Sequence, residues 1–467
     1  DIKKDACQQV EKMFQEGHAK FITAEDTDPD LPIWYLPLHF VVKPGKTRVC
    51  HDARSAVHGI CLNDELLVGP DLINSLVGVI LRFREHKYVL SGDIRSFYHQ
   101  VFVDPLDAGV FRFFWAKKED ENFETPLVAQ ADVQVFGAKS SSCASTYALH
   151  HHANTLHGIY PPSVIDTILR SFYVDDLLRS VESEEMAKQL RIDVISALAR
   201  GGFELAKWRA STPFILGEGA KLEEDDIYFD DAEDDKAPAE KVLGVSFSFK
   251  SDCFGFKVSP EKAMKKVVTR RQMMSAVASC FDPFGMIAPF LLEPKNILQQ
   301  AAYIFVDKWD EPLPPEMLAA FEKWQNAILD MAKIKVPRWL SSDKASKKKP
   351  QLHIFVDASP LGYGAVAYRR QENVDGTFHL SFICAKARVV PLDCQETEHD
   401  NSMPKLETVG CCSGLELYKF ILAESAEEFD GVFFWCDNQC CLKRIRDPKT
   451  RFRTFIANRL SRIRRET

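Results

Sequence analysis

The stretch at residues 171–178 constrains the fold of this chain most strongly. Apolar side chains stand on both sides of two adjacent acids, Asp175 and Asp176. This pattern predicts an apolar strand, a tight acidic turn and a second apolar strand. Two carboxylates at the tip of an apolar hairpin repel each other and lose hydration together unless a cation lies beside them. Because Mg²⁺ prefers oxygen ligands, the stretch is typical of a magnesium site.

A second candidate acid lies upstream. The pattern predicts a strand over residues 88–90, Asp93 at its end, and a short helical turn after it. Aspartates on two neighbouring strands can hold two metal ions about 4 Å apart, as an in-line phosphoryl displacement requires. Taken singly, an Asp-Asp pair is more often a turn and Asp93 a helix N-cap, so these alternatives stay open at this point.

Three stretches of the chain resemble the palm motifs of reverse transcriptases and occur in the same order. They are Asp93 after its strand, the Phe-Gly-Ala-Lys-Ser-Ser loop at residues 136–141, and Tyr-Val-Asp-Asp at residues 173–176. Cys143 is a departure, since the family usually has a proline there. The resemblance implies a set of ligands for two catalytic Mg²⁺ or Mn²⁺ ions, with Asp176 as the accessory acid: Asp93, the carbonyl of Ile94, Asp175 and Asp176.

A basic hairpin is predicted ahead of these motifs, with strands over residues 34–43 and 48–54. It resembles the fingers hairpin of reverse transcriptases. By that resemblance Lys43 and Arg48 would hold the triphosphate of the incoming nucleotide, because their charges offset phosphate charge. Arg54 would contact the template–primer. A solvated basic hairpin is the alternative.

Four further residues match positions of the same family. Tyr98 matches the aromatic residue beneath the sugar, where a ring would exclude a ribose 2′-OH; a core tyrosine is the alternative. Gly137 matches the glycine whose bare backbone lets the sugar and template base approach. Lys207 matches a lysine thought to assist pyrophosphate departure, with an ordinary surface lysine as the alternative. Gly244, in a strand predicted over residues 241–247, matches the primer grip.

Residues 271–289 narrow the family. They predict a helix that ends at an Asp-Pro turn. With Gln299, Gln300 and the Trp-Asp-Glu-Pro-Leu-Pro run at residues 309–314, the stretch is similar to the connection segment of BEL/Pao long-terminal-repeat retrotransposons.

Three more acids follow a polar stretch at residues 341–350, which predicts a domain boundary. Asp357 and Asp437 end predicted strands, and Glu407 lies in a predicted helix. Singly these acids are typical of caps and turns. In this order they resemble ribonuclease H, whose acids bind two Mg²⁺ for hydrolysis of RNA paired with DNA. That family requires a fourth acid further along, so we expect this nuclease domain to be incomplete as given and to cleave poorly.

The charge distribution and the cysteine usage constrain the binding surfaces and the redox state expected for the chain. The formal net charge is −8, yet residues 223–235 hold nine acids and no base, which predicts a solvated loop. Residues 442–467 hold ten bases against two acids, which predicts a surface for an RNA–DNA hybrid. Thirteen cysteines without a Cys-x-x-Cys pair predict reduced thiols, with no zinc module and no disulfide frame.

We expect no membrane span and no secretion, because no apolar run of 18 residues and no basic-then-apolar leader occurs. The first residue is Asp1 rather than Met. From this we expect a segment of a longer retrotransposon polyprotein, whose other parts would be its partners. We expect it in the cytoplasm, within virus-like particles.

The expected fold is α+β: a right-hand polymerase with a connection segment and a truncated ribonuclease H-like α/β domain. By resemblance its parts are the N-terminal part of the fingers at 1–87, the palm at 88–258 with an inserted portion of the fingers and an acidic loop at 218–238, thumb and connection at 259–340, a linker at 341–350 and the C-terminally incomplete ribonuclease H-like domain at 351–467.

The implied function is that of an RNA-directed DNA polymerase, in which a primer 3′-OH attacks the α-phosphate of a dNTP. Its substrates would be RNA and DNA template–primers, RNA–DNA hybrids and dNTPs. The alternative is a catalytically inactive or host-recruited retroelement fragment that binds nucleic acid. An RNA-templated RNA polymerase is a third interpretation, against which Tyr98 argues.

Overall fold

The computed structural model describes most of the chain. The acidic loop predicted at residues 218–238 lies outside the described residues apart from 227–228, and so does the side chain of Lys43. No described helix is both long enough and apolar enough to cross a membrane. The described residues are 2–23, 25–26, 28–43, 46–117, 123–217, 227–228, 240–248, 251–256, 265–391 and 403–467.

The N-terminal part packs a helix against a two-stranded hairpin. Its elements are α1 (Ile2–Gln15), β1 (Ala19–Phe21), β2 (Leu38–Lys43), β3 (Lys46–His51) and α2 (Leu62–Glu65). The first hairpin strand was expected from residue 34 but begins at Leu38, because Pro37 has no N–H to donate to a strand ladder. The return strand ends at His51 rather than at Arg54, since a turn follows it.

The central sheet has the strand order β10-β9-β4-β8-β7, and a separate small sheet has the order β1-β6-β5. Helices α4, α5 and α6 bury apolar side chains such as Leu149, Ile168 and Val194 against Leu90 and Trp208 of the central sheet. The elements of this part are α3 (Leu76–Phe83), β4 (Tyr88–Ile94), β5 (Arg112–Trp115), β6 (Leu127–Ala131), α4 (Ser141–Thr155), α5 (Pro162–Arg170), β7 (Phe172–Tyr173), β8 (Asp176–Val181), α6 (Glu184–Ala199), β9 (Leu205–Ala210), α7 (Pro213–Leu216) and β10 (Ile227–Tyr228).

A third sheet has the strand order β11-β12-β13-β14. Three described α-helices lie between β13 and β14 in the chain. The single strand predicted over residues 241–247 is wrong, because Leu243 and Gly244 both have positive φ (49° and 85°) and turn the chain into a hairpin. Helix α8 begins at a capping box between Thr269 and Gln272. The elements are β11 (Glu240–Val242), β12 (Val245–Ser248), β13 (Cys253–Gly255), α8 (Arg270–Ala278), α9 (Ala288–Ile304), α10 (Pro315–Ala327) and β14 (Lys335–Pro337).

The C-terminal sheet has the order β17-β16-β15-β18, in which β15 and β18 are parallel and the other pairs antiparallel. Helix α11 covers one face. The opposite face exposes stacked aromatic rings, with Phe355, Phe433 and Trp435 at 43%, 40% and 48% exposure. The elements are β15 (Gln351–Ala358), β16 (Gly362–Glu372), β17 (Phe378–Val389), α11 (Met403–Glu424), β18 (Gly431–Cys436), α12 (Gln439–Arg446) and α13 (Thr454–Glu466).

One hydrophobic core joins the C-terminal sheet to the back of the central sheet. It includes Leu178 of β8, Phe247 of β12 and Ile354 of β15. Two arginines, each 1% exposed, lie at this junction, and Arg84 donates across it to β17. Arg84 donates to the carbonyl oxygen of Ile383 at 2.7 Å, and Arg338 donates to that of Phe83 at 2.8 Å. The polar stretch at residues 341–350 follows directly and hydrogen-bonds to β16, where the Ser346 amide donates to the Glu372 carbonyl at 2.9 Å.

Candidate active sites

Three carboxylates meet where β4 ends beside the β7–β8 hairpin. Asp93 is paired with Asp176 across the antiparallel ladder of β4 and β8. The amide of Ile94 donates to the backbone oxygen of Asp175 at 2.9 Å. Val174 turns the hairpin with a φ of 59°, a conformation that costs a non-glycine residue about 1–3 kcal/mol. The acids predicted at two strand ends are thus brought together, with the Ile94 backbone beside them.

The three acids share a partly desolvated site. Burial and the charge of Asp93 raise the pKa of Asp175. Burial and the charges of Asp175 and Asp93 raise the pKa of Asp176 to about 6. Lys207 Nζ forms an ion pair with Asp93 Oδ2 at 2.7 Å. A divalent cation would relieve the remaining repulsion, and the oxygen-only donor set fits Mg²⁺ or Mn²⁺.

A cavity of about 290 Å³ opens onto Asp93 and Asp175. Arg48 of β3 and Lys207 of β9 line this cavity. Their positive charges lower the pKa of Asp175, although burial and the charge of Asp93 raise it by more. The structure therefore brings the predicted phosphate-binding arginine to the acids, although the two lie in separate sheets. Phe136 also lines the cavity.

Helix α1 contributes residues that sequence reasoning missed. Lys12 and Met13 of α1, and Glu16 just after it, lie in the wall of the same cavity. The pattern of residues 2–17 predicts an amphipathic helix, but such a pattern carries no signal for which cavity the helix would line.

Tyr98 packs on the loop after β6 that contains Gly137. Tyr98 is half-buried in a short 3₁₀ helix, and its ring centre is 4.7 Å from that of Phe136. Gly137 has a φ of 120°, and a Cβ on it would lie 1.8 Å from the carbonyl oxygen of His51. Close packing of this loop on β3 therefore requires glycine, independently of any nucleotide.

The two predicted primer and template residues lie apart. Arg54 is exposed in the turn after β3, outside the cavity wall, with its amide donating to Asp52 at 3.1 Å. Gly244 lies in the β11–β12 turn, where a Cβ would be 3.1 Å from the ring of Phe281. Its neighbour Leu243 lines a small cavity of about 90 Å³ together with Asp93, so this turn lies beside the acids.

The three nuclease acids meet at one edge of the C-terminal sheet. Asp357 lies near the end of β15, and Asp437 directly follows the parallel neighbour β18. Glu407 of α11 is 4% exposed, and its Oε2 has no hydrogen-bond partner among the described residues. Burial and the charges of Asp437 and Asp357 raise the pKa of Glu407. Carboxylates in this state fit a divalent cation, and ligand atoms of Glu407, Asp437 and Cys436 lie within 4.8 Å of one another.

Comparison with known proteins agrees with this arrangement. The family model described as the Pao retrotransposon-like RNaseH-like domain matches residues 269–438. The match contains Asp357, Glu407 and Asp437, as well as helices α8 to α10. The resemblance to BEL/Pao retrotransposons is confirmed. No curated protein matches the chain.

Three solved structures of a foamy viral protease-reverse transcriptase are similar to the chain. The form named dRH, with ds DNA, has a TM-score of 0.60 at 15% identity, over 98% of this chain and 67% of that one. The complex with RNA/DNA hybrid has a TM-score of 0.56 at 14% identity, over 99% and 52%. The complex with dsDNA has a TM-score of 0.57 at 15% identity, over 98% and 80%. The chain therefore has a reverse transcriptase-like fold with a ribonuclease H-like domain, which mixes helices and sheets as expected.

Proposed function

We propose that this chain is an RNA-directed DNA polymerase with an attached ribonuclease H-like domain. One observation carries the proposal: Asp93, Asp175 and Asp176 gather at one end of the central sheet, beside a cavity lined by Arg48 and Lys207. Acids whose charges raise one another's pKa are poor structural elements. Two-metal nucleotidyl transfer uses such a donor set together with cationic phosphate ligands.

In this proposal each residue has a defined task. Asp93, Asp175 and the carbonyl of Ile94 would hold Mg²⁺ or Mn²⁺, which when bound offsets negative charge on the reacting phosphate. Arg48 would bind the triphosphate, with Lys43 assigned by resemblance alone. Lys207 would exchange the Asp93 carboxylate for a phosphate oxygen.

The subdomains of a right-hand polymerase follow from these tasks. The hairpin of β2 and β3 would be the fingers hairpin, and the central sheet the palm. Tyr98, packed on Phe136, would exclude a ribose 2′-OH. The β11–β12 turn with Gly244 would be the primer grip, because it lies beside the acids. Helices α8 to α10 would form thumb and connection.

The C-terminal acids would hold divalent cations for hydrolysis of RNA in an RNA–DNA hybrid. The hybrid would contact helices α12 and α13, which expose Lys443, Arg446 and Arg465. Such contacts would be salt-sensitive and independent of sequence. The foamy viral relatives are complexes with dsDNA and with RNA/DNA hybrid, which supports nucleic acid as the partner.

Primer extension tests the polymerase. The purified protein is given dNTPs and Mg²⁺ or Mn²⁺ with a primed RNA template and, separately, a primed DNA template. Asp175→Asn should lower extension by about 100-fold or more, since a neutral amide is a poor ligand for the cations. Asp107→Asn, at an exposed aspartate outside both cavities that the acids line, is the matched control and should extend normally. Equal extension by the parent and Asp175→Asn would remove the assignment.

A nucleic-acid-binding fragment without catalysis is the second candidate. The ion pair of Lys207 with Asp93 favours it, because a lysine can neutralise an acid that no longer serves a metal. Tight binding of template–primer with no extension on either template, in both metals, would select this candidate.

A further inference from the structure

Three thiols from three different elements meet behind the nuclease acids. Cys411 lies on α11, Cys436 is the last residue of β18, and Cys441 lies in the first turn of α12. The Sγ atoms of Cys411 and Cys441 are 3.6 Å apart. All three Sγ atoms lie within 4.8 Å of one another.

The local structure holds these thiols in place. The side chain of Asn438 caps α12 by accepting from the Cys441 amide at 2.9 Å, which fixes the short turn between β18 and α12. Cys441 is 0% exposed. The hydroxyl of Thr408 lies 3.8 Å from its sulfur. Cys411 and Cys436 are partly buried, and the Asn438 carbonyl oxygen, 4.0 Å from the Cys436 sulfur, is a second nearby oxygen.

The spacing of the sulfurs suits a shared cation better than a covalent bond. Zinc–thiolate bonds of about 2.3 Å in tetrahedral geometry separate sulfurs by about 3.8 Å. A disulfide requires about 2.05 Å, far below the observed distance. Isolated buried cysteines pack as small apolar side chains, but such packing does not require three sulfurs to point at one centre.

We propose that Cys411, Cys436 and Cys441 bind one thiophilic divalent cation of the zinc class. Small rotations about the side-chain bonds bring all three sulfurs to bonding distance. The thiols bind as thiolates and release their protons to solvent. A water or a neighbouring oxygen completes the tetrahedron. This site is independent of the proposed polymerase and nuclease functions.

The cation would tie α11, β18 and α12 together at one point. The same elements carry the nuclease acids: Glu407 lies one helical turn before Cys411, and Asp437 directly follows Cys436. Thiolates select zinc-class ions and carboxylates select Mg²⁺, so the two neighbouring sites take different metals. The thiol site would thus brace the carboxylates without supplying their metal.

Co²⁺ binding to the chelator-stripped protein tests the proposal. We expect one equivalent of Co²⁺, with near-ultraviolet sulfur-to-cobalt charge-transfer absorption that Zn²⁺ displaces. Cys411→Ser and Cys441→Ser should weaken binding at least tenfold. Cys440→Ser, at the exposed cysteine beside Cys441, and Cys412→Ser, at the buried cysteine beside Cys411, are matched controls and should retain the band. Asp437→Asn should retain it as well.

A measurement on the parent protein covers the case in which a variant fails to fold. Zn²⁺ should slow alkylation of Cys411, Cys436 and Cys441 by at least tenfold, read by peptide mass spectrometry, and leave Cys440 unchanged. Absence of charge-transfer absorption in the parent, or a band that survives in Cys411→Ser and Cys441→Ser, would overturn the proposal. Loss of the band in Asp437→Asn alone would also overturn it, because the carboxylates would then be the ligands.

Discussion

The ammonium nitrogen of Lys207 lies 2.7 Å from a carboxylate oxygen of Asp93. Lys207 holds this position with a φ of 54°, in the left-handed region that non-glycine residues rarely adopt. The backbone is thus strained at the residue that places a positive charge beside Asp93, the first of the proposed metal ligands. A lysine in this position competes with any other cation for the same oxygen.

We predict that Lys207→Gln tightens Mn²⁺ binding to the nucleotide-free protein by about two- to fivefold. Both side chains are partly exposed, so their ion pair contributes no more than ~1 kcal/mol. The measurement is a Mn²⁺ titration followed by electron paramagnetic resonance, with Lys188→Gln, on the surface of α6, as the control. Weaker Mn²⁺ binding by Lys207→Gln would show that the lysine supports the metal site and does not compete with it.

The raised pKa of Asp176, about 6, makes the effect of Mg²⁺ depend on pH. In the metal-free protein this group binds a proton more tightly when folded than when unfolded, so its contribution to stability falls as pH rises from about 4 to about 6. Above that range the site is anionic and binds a cation. We predict that Mg²⁺ raises Tm clearly at pH 7.5 and little at pH 5. The measurement is thermal unfolding with and without Mg²⁺. The part of the Mg²⁺-dependent rise in Tm at pH 7.5 that is lost in Asp175→Asn arises from this site.

Tyr98→Val should allow the protein to incorporate ribonucleotides, because removal of the ring opens space for a 2′-OH. Tyr98→Phe retains the ring that packs on Phe136 and should still reject them. Primer extension with rNTPs and with dNTPs, compared as a ratio for the three proteins, is the measurement. If Tyr98→Val discriminates as strongly as the parent, Tyr98 is a core residue of this loop.

Glu407→Gln should abolish hybrid cleavage and yet stabilise the fold. The carboxylate is buried with one oxygen unpartnered, and its pKa is raised, so the charged form is unfavourable in the folded protein. The gain in Tm should be a few degrees at pH 7.5 and should disappear near pH 4, where the unfolded glutamate is also protonated. Glu416→Gln, exposed on the same helix, is the control. A lower Tm for Glu407→Gln would contradict this assignment.

Short-range periodicity in the sequence was sufficient to predict that the three acids of the central sheet would meet. Asp93, Asp175 and Asp176 lie at the ends of apolar strands, and such ends are visible in a few residues. Periodicity was not sufficient to predict which residues lie beside these acids. The pairing of Lys207 with Asp93 depends on the register between β4 and β9, and periodicity contains no information about register.

The wrong prediction of a single strand over residues 241–247 also reflects a limit of periodicity. The run around Gly244 alternates like one strand, but Leu243 takes a positive φ that leucine rarely adopts, so no residue signal marked the hairpin. The meeting of Cys411 with Cys436 and Cys441 was invisible for a different reason. A Cys-x-x-Cys pattern marks only cysteines close in sequence, whereas these three converge only when α11 packs beside β18.

The buried arginines between the two halves of the molecule bear on how it comes apart. Arg84 donates to the backbone carbonyls of Ile383 and Phe382, and Arg82 donates to that of Glu424, across the junction, and the apolar core continues around them. Separating the halves would take these hydrogen-bond partners away from the guanidinium groups and expose the apolar core to water. A protease cut within residues 341–350 should therefore leave a nicked protein that migrates as one particle in gel filtration. In the cell, the C-terminal half would remain with the N-terminal half even after the chain between them had been severed.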